Sequence, residues 1–212
     1  MAFSSRPYSM FKLFKIHNQG IIAASRNKGI REASGEWIAF LDSDCVAQPG
    51  WLSKAVEEVG KGHLIVGGGI KNNNPHSMIS RADFILTFNE FVVGRPSGKL
   101  AFIPTCNFVC TKKVFQEIGG FDPRFSVGED TLFCYQTAQR YELYFCSEAA
   151  VAHTNREKFK AFWRHHYNFG KHSAVLRKKI DLPGKIFARY PLLALFVPAV
   201  RMGRIFKRLA KY

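Results

Sequence analysis

A chain of 212 residues, 47% hydrophobic and 22% charged, is long enough to bury one core and too apolar to be disordered throughout. Its five cysteines, Cys45, Cys106, Cys110, Cys134 and Cys146, are odd in number and contain no C-x-x-C pair, which argues against a zinc knuckle or a disulfide framework and fits a reducing, cytoplasmic setting. The formal charge of +15 is unevenly spread: residues 1–154 carry 16 Lys/Arg against 14 Asp/Glu, residues 155–212 carry 15 against 2, and the basic character belongs to the C-terminal tail.

In chain order, Met1 to Tyr8 lacks the apolar run of a signal peptide, and Phe11 to Ile16 alternates imperfectly between apolar and charged residues, predicting a weak strand. Residues 20–34 predict a helix with Ile22, Ala23, Ile30 and Ala33 on one face and Gly35 as terminator. Trp37-Ile38-Ala39-Phe40-Leu41 predicts a buried strand that ends on Asp42-Ser43-Asp44. Pro49-Gly50-Trp51 opens a helix to about Val59, and His63 to Ile70 returns as a strand containing Gly67-Gly68-Gly69. Those glycines superficially resemble a phosphate cradle, but no G-K-[ST] follows, so close backbone approach is the better account.

Beyond the loop Asn72-Asn73-Asn74-Pro75, an apolar-rich helix is expected from Ile79 to Val93, a strand from Leu100 to Val109, and a short helix from Lys112 to Ile118 stopped by Gly119-Gly120. Gly128-Glu129-Asp130 starts a helix running to about Tyr141, and Leu143 to Phe145 and Ala149 to Ala152 predict two short closing strands ending at His153. Phe159, Phe162, Trp163, His166 and Phe169 recur at helical spacing between Glu157 and Ala174. Strands alternating with helices specify an α/β fold.

Two carboxylates one residue apart at the end of a strand suit a divalent cation, because ligands of open α/β sheets sit beyond the carboxyl ends of the strands. Oxygen ligands favour Mg²⁺ or Mn²⁺, which normally share their shell with substrate phosphates. A lone D-x-D is weak evidence, since most such pairs simply face water. Glu129 and Asp130 have an equally plain reading as stabilisers of a helix N-terminus, and a lone histidine such as His153 is more often hydrogen-bonded in a core than a ligand.

Several segments together are more specific. Asn27-Lys28-Gly29-Ile30, Ala33-Ser34-Gly35-Glu36-Trp37-Ile38-Ala39-Phe40-Leu41-Asp42-Ser43-Asp44, Pro49-Gly50-Trp51-Leu52, Gly119-Gly120-Phe121-Asp122, Gly128-Glu129-Asp130 and His153 follow in order. Over about residues 13–170 the chain closely resembles the family 2 glycosyltransferases of the GT-A fold. The resemblance implies a mixed, mostly parallel open sheet flanked by helices. It implies that Asp44 is a direct metal ligand, that Asp42 lies near the donor ribose or the metal, and that Ser43 lies between them on the donor side. It also implies that Asp130 is the general base, with Glu129 shaping the acceptor site, that His153 completes metal or diphosphate binding, and that Arg26 and Asn27 help hold the diphosphate. Thr105-Cys106-Asn107 is a candidate lining of the donor-sugar pocket, although a strand end in a tight turn explains it as well.

The implied activity is metal-dependent transfer of a sugar, with inversion, from a nucleotide-sugar donor to a hydroxyl of a saccharide or lipid-linked acceptor, in cell-envelope polysaccharide or glycolipid synthesis. Family members usually begin with a V-x-V-I-P-x-Y-N strand and a second strand ending in D-D-G-S, neither of which occurs here, so the chain is expected to be N-terminally truncated. The expected organisation is a partial catalytic domain over 1–154, an aromatic and basic flap helix over 155–180 and a basic amphipathic tail over 181–212. His165 and His166 are read as packing or surface residues of that flap. Two readings of the tail stay open: 185–212 lies on an anionic membrane surface at the inner face of the cell membrane, with Leu192, Leu193, Leu195, Phe196 and Val197 inserted, or it docks on its own domain with a solvated basic face. No nucleic-acid motif accompanies the charge. The alternative function is an inactive remnant that binds a membrane or a partner.

Overall fold

The computed structural model describes Phe14 and residues 21–211, so the strand expected at Phe11 to Ile16 lies, Phe14 apart, outside the described residues. Helix α1 (Ile22–Glu32) leads into strand β1 (Trp37–Leu41), a sharp turn at the two aspartates, and a three-residue strand β2 (Cys45–Ala47). Gly50, at φ +78°, starts helix α2 (Trp51–Gly60), and strand β3 (Ile65–Asn72) follows. Helix α3 (Met78–Phe88) is capped by Ser77, whose hydroxyl accepts the Ser80 amide at 3.3 Å. It stops five residues before the expected Val93, because the Asn89 side chain donates to the Ile85 carbonyl and the Phe91 amide turns back to Phe88.

The strand expected from Leu100 to Val109 is two strands, β4 (Gly98–Leu100) and β5 (Asn107–Thr111), separated by an irregular segment in which Ile103, Thr105 and Cys106 are buried. Helix α4 (Lys112–Ile118) has the predicted bounds, ending at Gly119 with φ +93°, and α5 (Glu129–Thr137) starts after Gly128 at φ +87°. The two expected closing strands form one strand, β6 (Leu143–His153). Between them the register against β3 shifts, Gly68 facing Cys146 and Ile70 facing Val151, which accommodates the extra residues as a bulge. The C-terminal region is helical: α6 (Phe159–Lys179), α7 (Lys185–Arg189), a 3-10 turn at Pro191–Phe196 and α8 (Val197–Leu209).

The sheet runs β1-β5-β3-β6-β2, with β4 also paired to β6. It is mixed, as expected, but not mostly parallel: among the described residues only β3 and β6 pair in parallel, and the other four strand pairs are antiparallel. The expected buried strand at Trp37–Leu41 is, among the described residues, paired along one side only, and Leu41 is 40% exposed.

Alternation along the strands divides the core between two faces. Ile65, Phe108 and Cys110 join Ala23 and Ile30 of α1, Val114 and Phe115 of α4 and Phe133 of α5, whereas Val66 and Val109 join Ala55 and Val59 of α2. Ile22, expected on the inner face of α1, is exposed. Phe40, Phe108, Phe115, Phe121 and Phe133 form a ring cluster with centroids 4.9–6.2 Å apart. Each fully buried phenylalanine contributes roughly 1.5–3 kcal/mol, so this cluster fixes β1, β5, α4 and α5 around one point. The three glycines of β3 are there for space. A Cβ on Gly67 would lie 2.1 Å from Ile103, one on Gly68 1.7 Å from the Ala149 carbonyl oxygen, and one on Gly69 2.4 Å from that of Ser147.

Candidate active site

β1 ends at Leu41 and the chain turns on the acidic pair, the Cys45 amide donating to the Asp42 carbonyl at 3.0 Å. That turn sends β2 back along β6, where Cys45 faces His153 across the pair, and the Thr154 amide donates to the Asp44 carbonyl at 2.8 Å. Directly opposed residues of an antiparallel pair present their side chains on the same face, so the backbone itself brings His153 to the acids. His153 Nε2 lies 3.5 Å from Asp44 Oδ2. Asp44, Cys45 and His153 each offer one ligand atom, all within 4.8 Å of one another.

The other ring nitrogen of His153 is held from behind. Nδ1 is 3.1 Å from Asn155 Oδ1, while the Asn155 amide nitrogen donates to Asn72 Oδ1 at 2.9 Å and to the His153 carbonyl at 3.1 Å. With both amide hydrogens spent on acceptors, Asn155 turns its oxygen to the ring. A proton on Nδ1, donated to Asn155, leaves Nε2 on the Asp44 side, the arrangement in which a histidine can bind a metal. Asn72, in the same lateral row as His153, has a buried amide nitrogen without a hydrogen-bond partner among the described residues.

The second group of acids comes from the start of α5. Arg26, on α1, donates to Asp42 Oδ1 at 3.2 Å and to Glu129, so one guanidinium ties the end of β1 to the first turn of α5. Glu129 is buried and faces that arginine. Among the described residues Asp130 has no ion pair of its own. Its carboxylate accepts the Thr131 amide at 2.7 Å, and burial, reinforced by the charge of Glu129, pushes its pKa up to about 6 against the opposing pull of Arg26. Cys106 lies between the two groups: its thiol is raised well above the ordinary range by a hydrogen bond with Cys45, by burial, and by the charges of Asp42 and Asp130.

Arg26, Asp42, Asp44, Glu129, Asp130 and His153 are thus gathered at the carboxyl end of β1. Ser43 is exposed on the turn between the acids. Asp42 faces Arg26 and stands apart from the cluster of Asp44, Cys45 and His153. Asn27 and Asn107 are not brought to the crevice with free groups. Asn27 exchanges both of its amide functions with the Phe121 backbone, at 2.7 and 2.8 Å. Asn107 is buried, donates to the Gly69 and Ala149 carbonyls and accepts from Trp51 Nε1 at 2.8 Å, so it locks the sheet where the β3 glycines pack. Thr105 is buried beside Cys106. Cys45 and Asn155 are site residues that the sequence reading missed. The first stood next to the D-x-D, but β2 is too short to carry a periodic signal, and the second is recognisable only through its partners in space.

Residues 5–119 match the family described as "Glycosyl transferase family 2", over more than half of the chain. The chain belongs to glycosyl transferase family 2. It is 26% identical over 160 residues to the pre-mycofactocin glycosyltransferase of Mycobacterium tuberculosis, covering 68% of this chain and 32% of that protein. It is 29% identical over 146 residues to glycosyltransferase AglE of Haloferax volcanii, covering 68% and 47%. The chain therefore spans about a third to just under a half of the length of these relatives. Among solved structures, GalNAc-T7 with UDP, GalNAc and Mn²⁺ aligns at TM-score 0.53 and 16% identity over 68% of this chain and 32% of that one. Staphylococcus aureus TarS aligns at 0.50 and 17% over 77% and 28%. At such identities the likeness is one of fold, and it is that of GT-A glycosyltransferases.

In this family 2 chain the helix α6 straps the site. Asp83 of α3 is wholly buried and accepts the Arg156 amide at 3.0 Å, the Arg156 guanidinium at 3.1 Å and His166 Nε2 at 2.8 Å. Burial opposes its ionisation, but the bonds from His166 and Arg156 outweigh it and hold the pKa down at about 2. His166 is therefore an anchor. His165 is partly buried, which lowers its pKa to about 4. Ten residues beyond His166, Leu176 is buried against Gly128, at the start of α5. α6 therefore runs from the His153 side of the crevice to the Asp130 side, exposing Phe159, Trp163 and Tyr167 along one row.

Proposed function

We propose that this chain forms the catalytic portion of an inverting glycosyltransferase that uses a nucleotide-sugar donor, a divalent cation and a saccharide or lipid-linked hydroxyl acceptor. The observation that carries the reading is the bridge made by Arg26 between Asp42 and Glu129, which puts the strand-end acids and the start of α5 in one crevice. Asp44 and His153 offer an oxygen and a nitrogen ligand on one face, a donor set suited to Mn²⁺ or Mg²⁺. GalNAc-T7, of similar fold, has been solved with UDP and Mn²⁺. When bound, such an ion stabilises the charge that develops on the departing diphosphate.

The remaining work falls to side chains. Asp130 removes the proton of the acceptor hydroxyl as its oxygen attacks C1 of the sugar. With a pKa near 6 it is ionised at pH 7 and still basic enough to bind that proton, a match typically worth 10²–10⁴ in rate. Glu129 acts by holding Arg26, and Arg26 in turn keeps Asp42 at the mouth of the crevice. Base and diphosphate on opposite sides of the sugar make the displacement in-line and inverting. α6, fixed at Asp83 and Leu176, covers the donor as a flap.

No helix among the described residues is long and apolar enough to cross a membrane. We place the chain on an anionic membrane surface through its tail, because Leu192, Leu195, Phe196 and Phe206 are 61–81% exposed on the segment that carries Arg204, Lys207 and Lys211, whereas Arg208 is engaged by Asn89 and Glu90. Those cations line a cleft of about 310 Å³ with Asn89, Glu90 and Arg95.

Titration of nucleoside-diphosphate sugars with Mn²⁺ tests the reading. Saturable heat that disappears in Asp44→Ala is expected; no heat with any donor at millimolar concentration favours a non-catalytic binding module. Flotation with anionic but not neutral liposomes is expected of the tail, and equal flotation with both would remove its electrostatic part.

A further inference from the structure

The metal cluster contains an atom type that the acidic motif by itself does not supply. Cys45 is only half-buried, its cross-strand partner is His153, and its Sγ falls within the same 4.8 Å limit as the oxygen and nitrogen of its neighbours. Metal–nitrogen and metal–sulfur bonds of about 2.0–2.3 Å in a tetrahedral shell set ligand atoms roughly 3.3–3.8 Å apart; Asp44 Oδ2 and His153 Nε2 already stand 3.5 Å apart, and the remaining separations, within 4.8 Å, need close by roughly 1 Å at most. Asp44, exposed on its turn, is free to make that movement. The histidine is preset by Asn155 to offer Nε2, and Cys45 is on the strand opposite it, so two of the three ligands are fixed by strand pairing rather than by loop conformation.

We propose that the Cys45 thiolate is a direct ligand of the metal and that it sets the metal preference of the site toward Co²⁺ or Zn²⁺ and away from Mg²⁺. This rests on the metal-dependent reading given above and adds to it a ligand and a selectivity. On binding, the thiol gives its proton to solvent and the sulfur lone pair forms the bond, with no change of oxidation state. A carboxylate and water shell suits Mg²⁺, whereas a mixed oxygen, nitrogen and sulfur set suits softer, borderline ions. Cys106, the neighbouring thiol, is 5% exposed and outside the cluster, so Cys45 is the sulfur available to the ion.

The test is a Co²⁺ titration of the full chain under reductant, read by absorbance. The expected result is visible d–d bands together with a near-ultraviolet thiolate-to-cobalt charge-transfer band. Cys45→Ser should abolish the charge-transfer band and weaken Co²⁺ and Zn²⁺ binding by on the order of 10–100-fold, the scale on which changes around a metal site act. Cys45→Asp should retain metal uptake but shift its preference toward Mg²⁺, which shows that loss in the serine variant is not loss of folding. Cobalt uptake without the charge-transfer band, or a band unchanged in Cys45→Ser, overturns the proposal and leaves the metal-dependent reading standing. Absence of any cobalt uptake overturns both.

Discussion

Two carboxylates, Asp83 on α3 and Asp130 at the start of α5, have been driven in opposite directions. Asp83, completely enclosed, is met by a backbone amide, a guanidinium and an imidazole, and its pKa falls to about 2. Asp130 receives the Thr131 amide and, at 3.4 Å, the Thr131 hydroxyl, sits beside another carboxylate whose arginine is already engaged, and its pKa rises to about 6. The first is a solved electrostatic problem and holds α6 to α3. The second is left unsolved, which is the condition of a group that must take up a proton during each turnover. Satisfied buried charge serves the architecture, and under the proposed function the unsatisfied charge of Asp130 serves the chemistry.

The contrast can be broken at either end. Asp130→Asn is expected to lower transfer by about 10²–10⁴ with donor affinity retained. It is also expected to stabilise the fold near pH 8 by on the order of 1–3 kcal/mol, because a carboxyl group with a raised pKa is disfavoured when ionised. Rate and thermal midpoint moving in opposite directions is the outcome to look for. An unchanged rate would remove Asp130 from the base role. Asp83→Ala should behave in the reverse sense, costing about 3–5 kcal/mol as Arg156 and His166 lose their shared acceptor. Hydrogen exchange should find the loss concentrated in α6 and α3, and protection unchanged there would show that the clamp is not what holds the strap.

Acid separates the same two groups more gently. The stabilisation from Asp83 is fully present above its unfolded value near 3.8 and is lost as pH falls toward about 2. Transfer should decline already below about pH 6, as Asp130 takes up its proton, while the fold persists. A rate profile flat from pH 7.5 to 5 would contradict that assignment. The smallest expected effect is that of Ser77→Ala, which removes the cap of α3 at about 1 kcal/mol. Transfer at temperatures well below the midpoint should be unaffected, since the cap lies on the architectural side of the contrast.

How much of this was legible beforehand depended on whether the signal was local. α4 was read to the residue because Gly119 ends it in a conformation that glycine tolerates best, and the close approach at Gly67-Gly68-Gly69 follows from three adjacent residues without a Cβ. The aspartates at the end of β1 were placed correctly because an apolar run followed by a turn is a short-range pattern. β2 was invisible, three residues giving no periodicity, and the antiparallel majority of the sheet could not be read from strands that look alike in either direction. Asn107 was misplaced for the same reason: a polar residue at a strand end looks the same whether it faces a ligand or three groups of the protein's own backbone and side chains.

The sequence by itself determined where α4 starts and stops, which residues carry charge, and that acids stand after a strand and before a helix, since all of these depend on neighbours along the chain. Only the tertiary structure decided that Arg26 joins Asp42 to Glu129, that strand pairing sets His153 and Cys45 side by side, and that Asp83 is neutralised while Asp130 is not. Hydrogen bonding and desolvation act over a few ångströms of space, and residues 103 positions apart become partners only when the fold closes that distance.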